Sequence, residues 1–136
     1  MRFKILGIEH VGIAVDDLNE SSKVFGELLG IEHTSTEIVE DQGVTTDIFD
    51  TGSGKVELLE PTSDDSPISK FLNTRGKGMH HISFVVDNLE LALQDLSDAG
   101  VELIDSKPRV GAEGFLIAFL HPKSTSGVLV ELCQKP

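Results

Sequence analysis

The chain of 136 residues contains a single cysteine, few basic residues and no long apolar run. With Cys133 alone, an intrachain disulfide is excluded and a reducing compartment is favoured. No apolar stretch approaches the roughly 20 residues that a helix needs to cross a bilayer. The first ten residues also lack the continuous apolar region and cleavage site of a signal peptide. These absences together predict a cytoplasmic protein.

Basic residues are outnumbered, with 11 lysines and arginines against 23 aspartates and glutamates and a net charge of −12. Such a charge argues against nucleic acid or an anionic membrane as a partner. It also disfavours a polyanionic ligand unless the few cations cluster at the ligand's entrance. The simplest interpretation is a solvated acidic surface that affects solubility and association.

The sequence contains an internal repeat that places a histidine at the same point of each copy. GIEHVGIAVDDL at residues 7–18 aligns without a gap with GMHHISFVVDNL at residues 78–89, so His10 matches His81. KVELL at residues 55–59 and LVELC at residues 129–133 match Glu57 with Glu131. A duplicated fold with these matches can bring four ligands to one centre.

Each copy predicts the element order β-α-β-β-β. In the first copy, strands are predicted at residues 7–15, 31–39, 44–51 and 55–60. Asp17 and Glu20 form a capping box for a helix whose apolar stripe runs from Leu18 to Leu29 and which Gly30 ends. The alternation of apolar and polar residues and the many β-branched residues favour these strands.

The second copy repeats this order after a polar, turn-rich connector. Strands are predicted at residues 79–86, 101–106, 115–120 and 127–132, with a helix from the Asn88 cap through Ala99. A short helix at residues 68–75, with Pro67 at its first position, is predicted within the connector. We therefore expect one domain over residues 1–136, with modules at 5–60 and 78–134 and the connector at 61–77. Each module is too small to be stable alone, so a shared core is expected.

The two histidines lie in apolar strands, where an ionisable side chain needs a partner or a ligand. A single such histidine is more often a hydrogen-bonded core residue, but repetition of both the histidine and the glutamate favours a metal site. Imidazole and carboxylate suit Zn, Fe, Co, Ni or Mn(II). Four protein ligands would leave an octahedral ion two positions for substrate oxygens. Period-two alternation places His80 on the face opposite His81.

The motifs HVGIAVDDL, HHISFVVDNL, VELLEP, HPKSTSG and VLVEL resemble the vicinal-oxygen-chelate superfamily. This superfamily includes glyoxalase I, extradiol dioxygenases and bleomycin-resistance proteins. DQGV, VELLEP, GMHH and HPKSTSGVLVEL, in this order and spacing, are most similar to the methylmalonyl-CoA epimerase family. The resemblance covers nearly the whole chain.

The resemblance implies an α+β fold in which two paired βαβββ modules form a curled eight-stranded sheet around a metal cleft. The implied ligands are His10, Glu57, His81 and Glu131. The implied cofactor is a divalent cation, with Co²⁺ as first choice and Mn²⁺, Ni²⁺ or Zn²⁺ as alternatives. A homodimer is expected by the same resemblance. One departure is Thr46, which stands where certain epimerases place a catalytic glutamate.

For epimerisation, Glu131 is the predicted base on one face of the substrate carbon and Glu57 the predicted base on the other. A single base with a water relay is the competing scheme, because coordination lowers the basicity of a carboxylate. The neighbour of Thr46, Asp47, is expected on the opposite side of its strand.

Coenzyme A phosphates need cations, for which Lys123 and Arg109 are candidates, and Gln42 is a further substrate-binding candidate. Glyoxalase I is the nearest alternative function, since it also uses a metal ion to assist proton transfer. An extradiol dioxygenase would need only two histidines and one glutamate on Fe(II). A metal-free drug-binding protein of the bleomycin-resistance type would suit the acidic surface.

Overall fold

A computed structural model describes all residues, 1–136. The elements follow the order predicted for each copy. They are β1 (Ile5–Ala14), α1 (Leu18–Ser22), β2 (Glu32–Val39), β3 (Val44–Asp50), β4 (Lys55–Pro61), α2 (Pro67–Arg75), β5 (Gly78–Val86), α3 (Leu89–Asp98), β6 (Arg109–Val110), β7 (Leu116–Leu120) and β8 (Val130–Gln134). No helix has the length and apolar character that a membrane crossing requires.

The two copies have the same strand pairing. In the first, β1 pairs in parallel with β4, and β4, β3 and β2 follow in antiparallel order. In the second, β5 pairs in parallel with β8, and β8, β7 and β6 follow in antiparallel order. The hydrogen-bonded order of the eight-stranded sheet is β2-β3-β4-β1-β5-β8-β7-β6.

The chain divides into two compact units, one of residues 10–80 and one of residues 1–9 with 81–136. The first nine residues thus group with the second copy, and β1 contributes to both units. Arg2 binds Asp95 through its side-chain Nε at 2.9 Å and its backbone nitrogen at 2.6 Å, and the backbone nitrogen of Lys4 donates to Asp87 at 2.8 Å. The expected single domain with modules at 5–60 and 78–134 stays a prediction.

The predicted helix caps are confirmed. The Asp17 carboxylate accepts from the backbone nitrogen of Glu20 at 3.1 Å, and the Asn88 side chain accepts from that of Leu91 at 3.0 Å. Each bond satisfies a backbone donor that the first helical turn leaves without a partner. In each unit, the cap therefore fixes where the chain leaves the histidine-bearing strand and enters its helix.

The predicted apolar stripe between Leu18 and Leu29 is only partly buried, contrary to expectation. Leu18 is buried, but Leu28 and Leu29 are 72% and 61% exposed. After Ser22 the helix continues as a π-helical segment, in which the backbone nitrogen of Leu29 bonds the carbonyl of Val24. Because this i→i+5 pattern changes the angle between successive residues, the 3.6-residue period no longer applies.

The predicted strand at residues 101–106 is wrong, and β6 at Arg109–Val110 is the edge strand instead. The backbone nitrogens of Ile104 and Asp105 both donate to the carbonyl of Phe119. The Asp105 carboxylate accepts from the backbone nitrogen of Phe119 at 2.8 Å. A side chain therefore replaces a backbone carbonyl as the acceptor, which interrupts a regular ladder.

Candidate metal centre

The unit of residues 10–80 contains a buried pair formed by His10 and Glu57. His10 Nδ1 lies 3.1 Å from Glu57 Oε2, and each residue is 5% exposed. Glu57 on β4 pairs with Gly12 on β1, and Gly12 shares its face with His10. The absence of a side chain at Gly12 leaves space beside the pair.

The other unit contains the equivalent pair, His81 and Glu131. His81 Nε2 lies 3.6 Å from Glu131 Oε2, and the two residues are 4% and 3% exposed. Ser83 pairs with Glu131 in the β5–β8 register, and its hydroxyl donates to Glu131 Oε1 at 3.3 Å. The Phe119 ring packs edge-on against the His81 ring, with 5.6 Å between their centroids. Two histidine–glutamate pairs thus occupy matching points of the repeat.

Both pairs combine imidazole and carboxylate, which are ligands that divalent cations bind. Their histidine and glutamate side chains are buried and close enough to one another to hold a metal ion. Two ligands at about 2.1 Å from an ion, set at a right angle, are ~3 Å apart. The observed separations of 3.1 Å and 3.6 Å are close to this value. Burying a carboxylate is costly unless it is paired, and a cation compensates that cost.

His80 is separated from its neighbour His81, as predicted. It is partly buried, and the Phe71 ring packs edge-on against it at a centroid distance of 5.0 Å. Burial, and secondarily the Arg75 charge, lowers the pKa of His80 to about 4. His81, the second histidine of the two, contacts the buried Glu131.

The three predicted substrate-binding residues have different surroundings. Arg109 lies with its guanidinium carbon 5.7 Å from the centroid of the Phe119 ring and its Nε 3.4 Å from Asp105. The exposed Lys123 forms an ion pair with Glu102. Gln42 is half-buried in a short 3₁₀ turn before β3. Among them, Arg109 alone contacts a ring that packs on His81.

Sequence reasoning did not single out Glu9, which is 8% exposed. It directly precedes His10 in β1. A charged residue inside an apolar strand was the available indication, but alternation assigns it to the opposite face from His10. In the structure its carboxylate nevertheless belongs to a buried group of potential metal ligands with His10 and Glu57, whose ligand atoms lie within 4.8 Å of one another.

Asp47 lies on the side of β3 opposite Thr46, as predicted. Its carboxylate accepts hydrogen bonds from Ser22 and Thr36 and lies 3.2 Å from His33 Nε2. Burial alone would raise the pKa of Asp47, but these hydrogen bonds and the His33 charge lower it below its usual value. This network ties α1, β2 and β3 together on the face away from the histidine–glutamate pair.

Replacing Asp47 by asparagine should lower the Tm by about 5–10 °C at pH 7, since losing a charged acceptor costs about 2 kcal/mol. Because the pKa of Asp47 is depressed in the folded state, its contribution is complete above the unfolded value near 4 and is lost as pH falls through the folded value. The difference between the variant and the parent protein should therefore close below pH ~4. Thermal unfolding at several pH values measures this, with the exposed Asp64→Asn as the control. An Asp47→Asn protein with an unchanged Tm at pH 7 contradicts the prediction.

Comparison with known proteins identifies the family. The model of the Glyoxalase/Bleomycin resistance protein/Dioxygenase superfamily matches residues 9–119. An uncharacterized Bacillus subtilis protein, YqjC, is 46% identical over 93% of this chain and 91% of its own length. The ethylmalonyl-CoA/methylmalonyl-CoA epimerase of Cereibacter sphaeroides is 39% identical over 93% of this chain and 96% of its own length. A solved methylmalonyl-CoA epimerase in complex with methylmalonyl-CoA and NH4+ gives a TM-score of 0.92 at 37% identity, covering 97% of this chain and 96% of that one.

The chain therefore belongs to the glyoxalase/bleomycin-resistance/dioxygenase superfamily. Within it, several of its relatives are methylmalonyl-CoA epimerases, and the resemblance to that family predicted from the sequence motifs is confirmed. The predicted α+β class with paired βαβββ modules and eight strands is confirmed as well.

Proposed function

We propose that this protein is a methylmalonyl-CoA epimerase whose His10, Glu57, His81 and Glu131 bind one divalent cation. The observation that carries the proposal is the pair of buried histidine–glutamate contacts at equivalent points of the repeat. The relatives that span nearly the whole chain supply the substrate class, an acyl-CoA with an acidic C2 proton.

The reaction inverts the carbon next to a thioester, so a proton must leave one face and another must return to the opposite face. A bound divalent cation supplies Lewis-acid polarisation of the thioester oxygen, which makes the C2 proton easier to remove. Glu131 serves as one base, and the hydroxyl of Ser83 holds its carboxylate in a fixed orientation. Burial of Glu131 keeps bulk water away from the reacting carbon.

Glu57 serves as the base for the second face. It matches Glu131 in the repeat and is equally buried, so the two carboxylates have comparable surroundings. His10 contacts the Glu57 carboxylate as His81 contacts that of Glu131. A pair of similar bases suits a reaction whose forward and reverse directions are chemically alike.

Arg109 and Lys123 bind the anionic groups of coenzyme A in this proposal, and Gln42 contributes a polar contact. The Arg109 guanidinium is positioned by Phe119 and Asp105, which limits the entropy lost when it binds a phosphate. Lys123 would exchange Glu102 for a phosphate oxygen. Co²⁺ as the cation, a homodimer and a cytoplasmic location complete the proposal.

Proton NMR of methylmalonyl-CoA in deuterated buffer tests the function directly. The cobalt-loaded protein should remove the C2 proton signal at least 100-fold faster than buffer alone, and a chelator should return the rate to background. A C2 signal that decays at the background rate with cobalt-loaded protein overturns the proposal. Isomerisation of a glutathione hemithioacetal in a parallel assay would assign the protein to glyoxalase chemistry instead.

A further inference from the structure

Thr46 is a buried residue whose hydroxyl has no hydrogen-bond partner within the protein. It is 1% exposed, and its Oγ1 is one of the few buried side-chain polar atoms without a bond. Buried polar groups are almost always satisfied, because an unmade hydrogen bond destabilises the folded state. The Thr46 hydroxyl is therefore expected to bond a molecule from outside the chain.

The strand register places Thr46 on the same face as the His10–Glu57 pair. On the β3–β4 ladder, Thr46 pairs with Leu59 and Ile48 pairs with Glu57. Thr46 and Glu57 are therefore diagonal neighbours, whose Cα atoms are typically about 7–8 Å apart. A single water molecule with two hydrogen bonds can bridge side chains at such a spacing.

The surroundings fix the direction of the Thr46 side chain. The next residue, Asp47, is held on the opposite face by hydrogen bonds from Ser22 and Thr36, which agrees with this orientation of β3. A β-branched side chain also has few χ1 states in a strand. The Thr46 side chain therefore lies on the face that carries Glu57.

We propose that Thr46 is a positioning residue that holds a water between its hydroxyl and the Glu57 carboxylate, and that this water carries the proton on the second face of C2. The inference rests on the proposed epimerase function. In one direction the Glu131 carboxylate takes the C2 proton, while the water gives a proton to the opposite face of C2 and takes one from the carboxyl group of Glu57, which begins this direction protonated. In the reverse direction each transfer runs backwards, and both carboxylates re-equilibrate with solvent.

This arrangement gives Glu57 a route to the second face of C2. Glu57 lies on β4, diagonally across from Thr46 on β3, so its carboxylate can act on C2 through a molecule held between the two side chains. A water held by Thr46 covers the remaining distance. Threonine at this position leaves room for the water, which a longer carboxylate side chain would fill.

The test replaces Thr46 by valine, which keeps the shape and removes the hydroxyl, and by serine, which keeps the hydroxyl. The control is Thr45→Val, the same change one residue earlier on the other face of β3. For each cobalt-loaded protein, deuterium incorporation at C2 and inversion are measured separately from each epimer of methylmalonyl-CoA, and the Tm is recorded.

With Thr46→Val, inversion should fall at least tenfold, while exchange from the epimer whose proton faces Glu131 should stay within threefold of the parent. Its Tm should stay close to that of the parent, because valine fills the space of threonine and removes only the hydroxyl that binds the water. Thr46→Ser and Thr45→Val should retain inversion. If Thr46→Val slows exchange from both epimers equally, or slows neither, Thr46 has no such role. A parent protein that neither exchanges nor inverts the substrate refutes the proposed function instead.

Discussion

Replacing Glu131 by glutamine should lower kcat for methylmalonyl-CoA epimerisation by about 1,000-fold, within the range for loss of a general base. Glutamine keeps the size of the side chain and can still accept a hydrogen bond from Ser83, so the fold should be retained. It cannot accept a proton from carbon. Deuterium incorporation at C2 from the epimer that faces Glu131 should be lost to the same extent.

A ligand role and a base role of Glu131 are separated by measuring cobalt affinity in the same variant. A protein loaded with excess cobalt that remains inactive identifies Glu131 as a base as well as a ligand. The exposed Glu27→Gln is the matched control and should have unchanged kinetics. If the Glu131→Gln enzyme keeps more than a tenth of the parental kcat, Glu131 is not the base.

Replacing either His10 or His81 by alanine should weaken cobalt binding at least 100-fold and abolish epimerisation at micromolar metal. The reason is that ligands from both copies are proposed to bind one ion, so the loss of either imidazole disrupts the same site. Isothermal titration calorimetry should give one ion per chain for the parent. The double variant should bind hardly less than either single variant, because the effects of residues that act together are not additive.

Two independent sites would give a different result. Each single variant would then lose one ion of two and keep the other with parental affinity. His80→Ala is the matched control, since the His80 ring packs edge-on against Phe71. Retention of one tight cobalt in His10→Ala would contradict a single shared cation.

Local patterns in the sequence were sufficient for most elements of the fold. Asp17 and Asn88 are short polar residues directly before an apolar stripe, and both cap their helices. This signal depends only on nearby residues. Period-two alternation likewise placed Asp47 and Thr46 on opposite faces of β3. The repeat then transferred the β-α-β-β-β order from one copy to the other.

Where the sequence analysis failed, a tertiary contact replaced a local rule. Residues 101–106 have the alternation of a strand, but the Asp105 side chain takes the place of a backbone acceptor opposite Phe119. The π-helical segment after Ser22 turns Leu28 toward solvent although its spacing indicates burial. Neither a side-chain acceptor in a ladder nor a change of helical pitch is visible in hydrophobic periodicity.

The candidate site was predictable only in part, because some of its contacts depend on tertiary structure. Repetition identified the two histidines and the two glutamates, and the structure places each histidine beside its glutamate. The Ser83 contact to Glu131 and the unsatisfied hydroxyl of Thr46 depend on cross-strand register and could not be read from sequence spacing. Burial of Glu9 likewise conflicts with its charge and is apparent only in the structure.

The division of β1 has a consequence for any attempt to split the gene product at its connector. A fragment that starts at Gly78 would lack the nine N-terminal residues that group with it, including the Arg2–Asp95 and Lys4–Asp87 contacts. A fragment of the second copy that keeps these contacts must therefore also include residues 1–9.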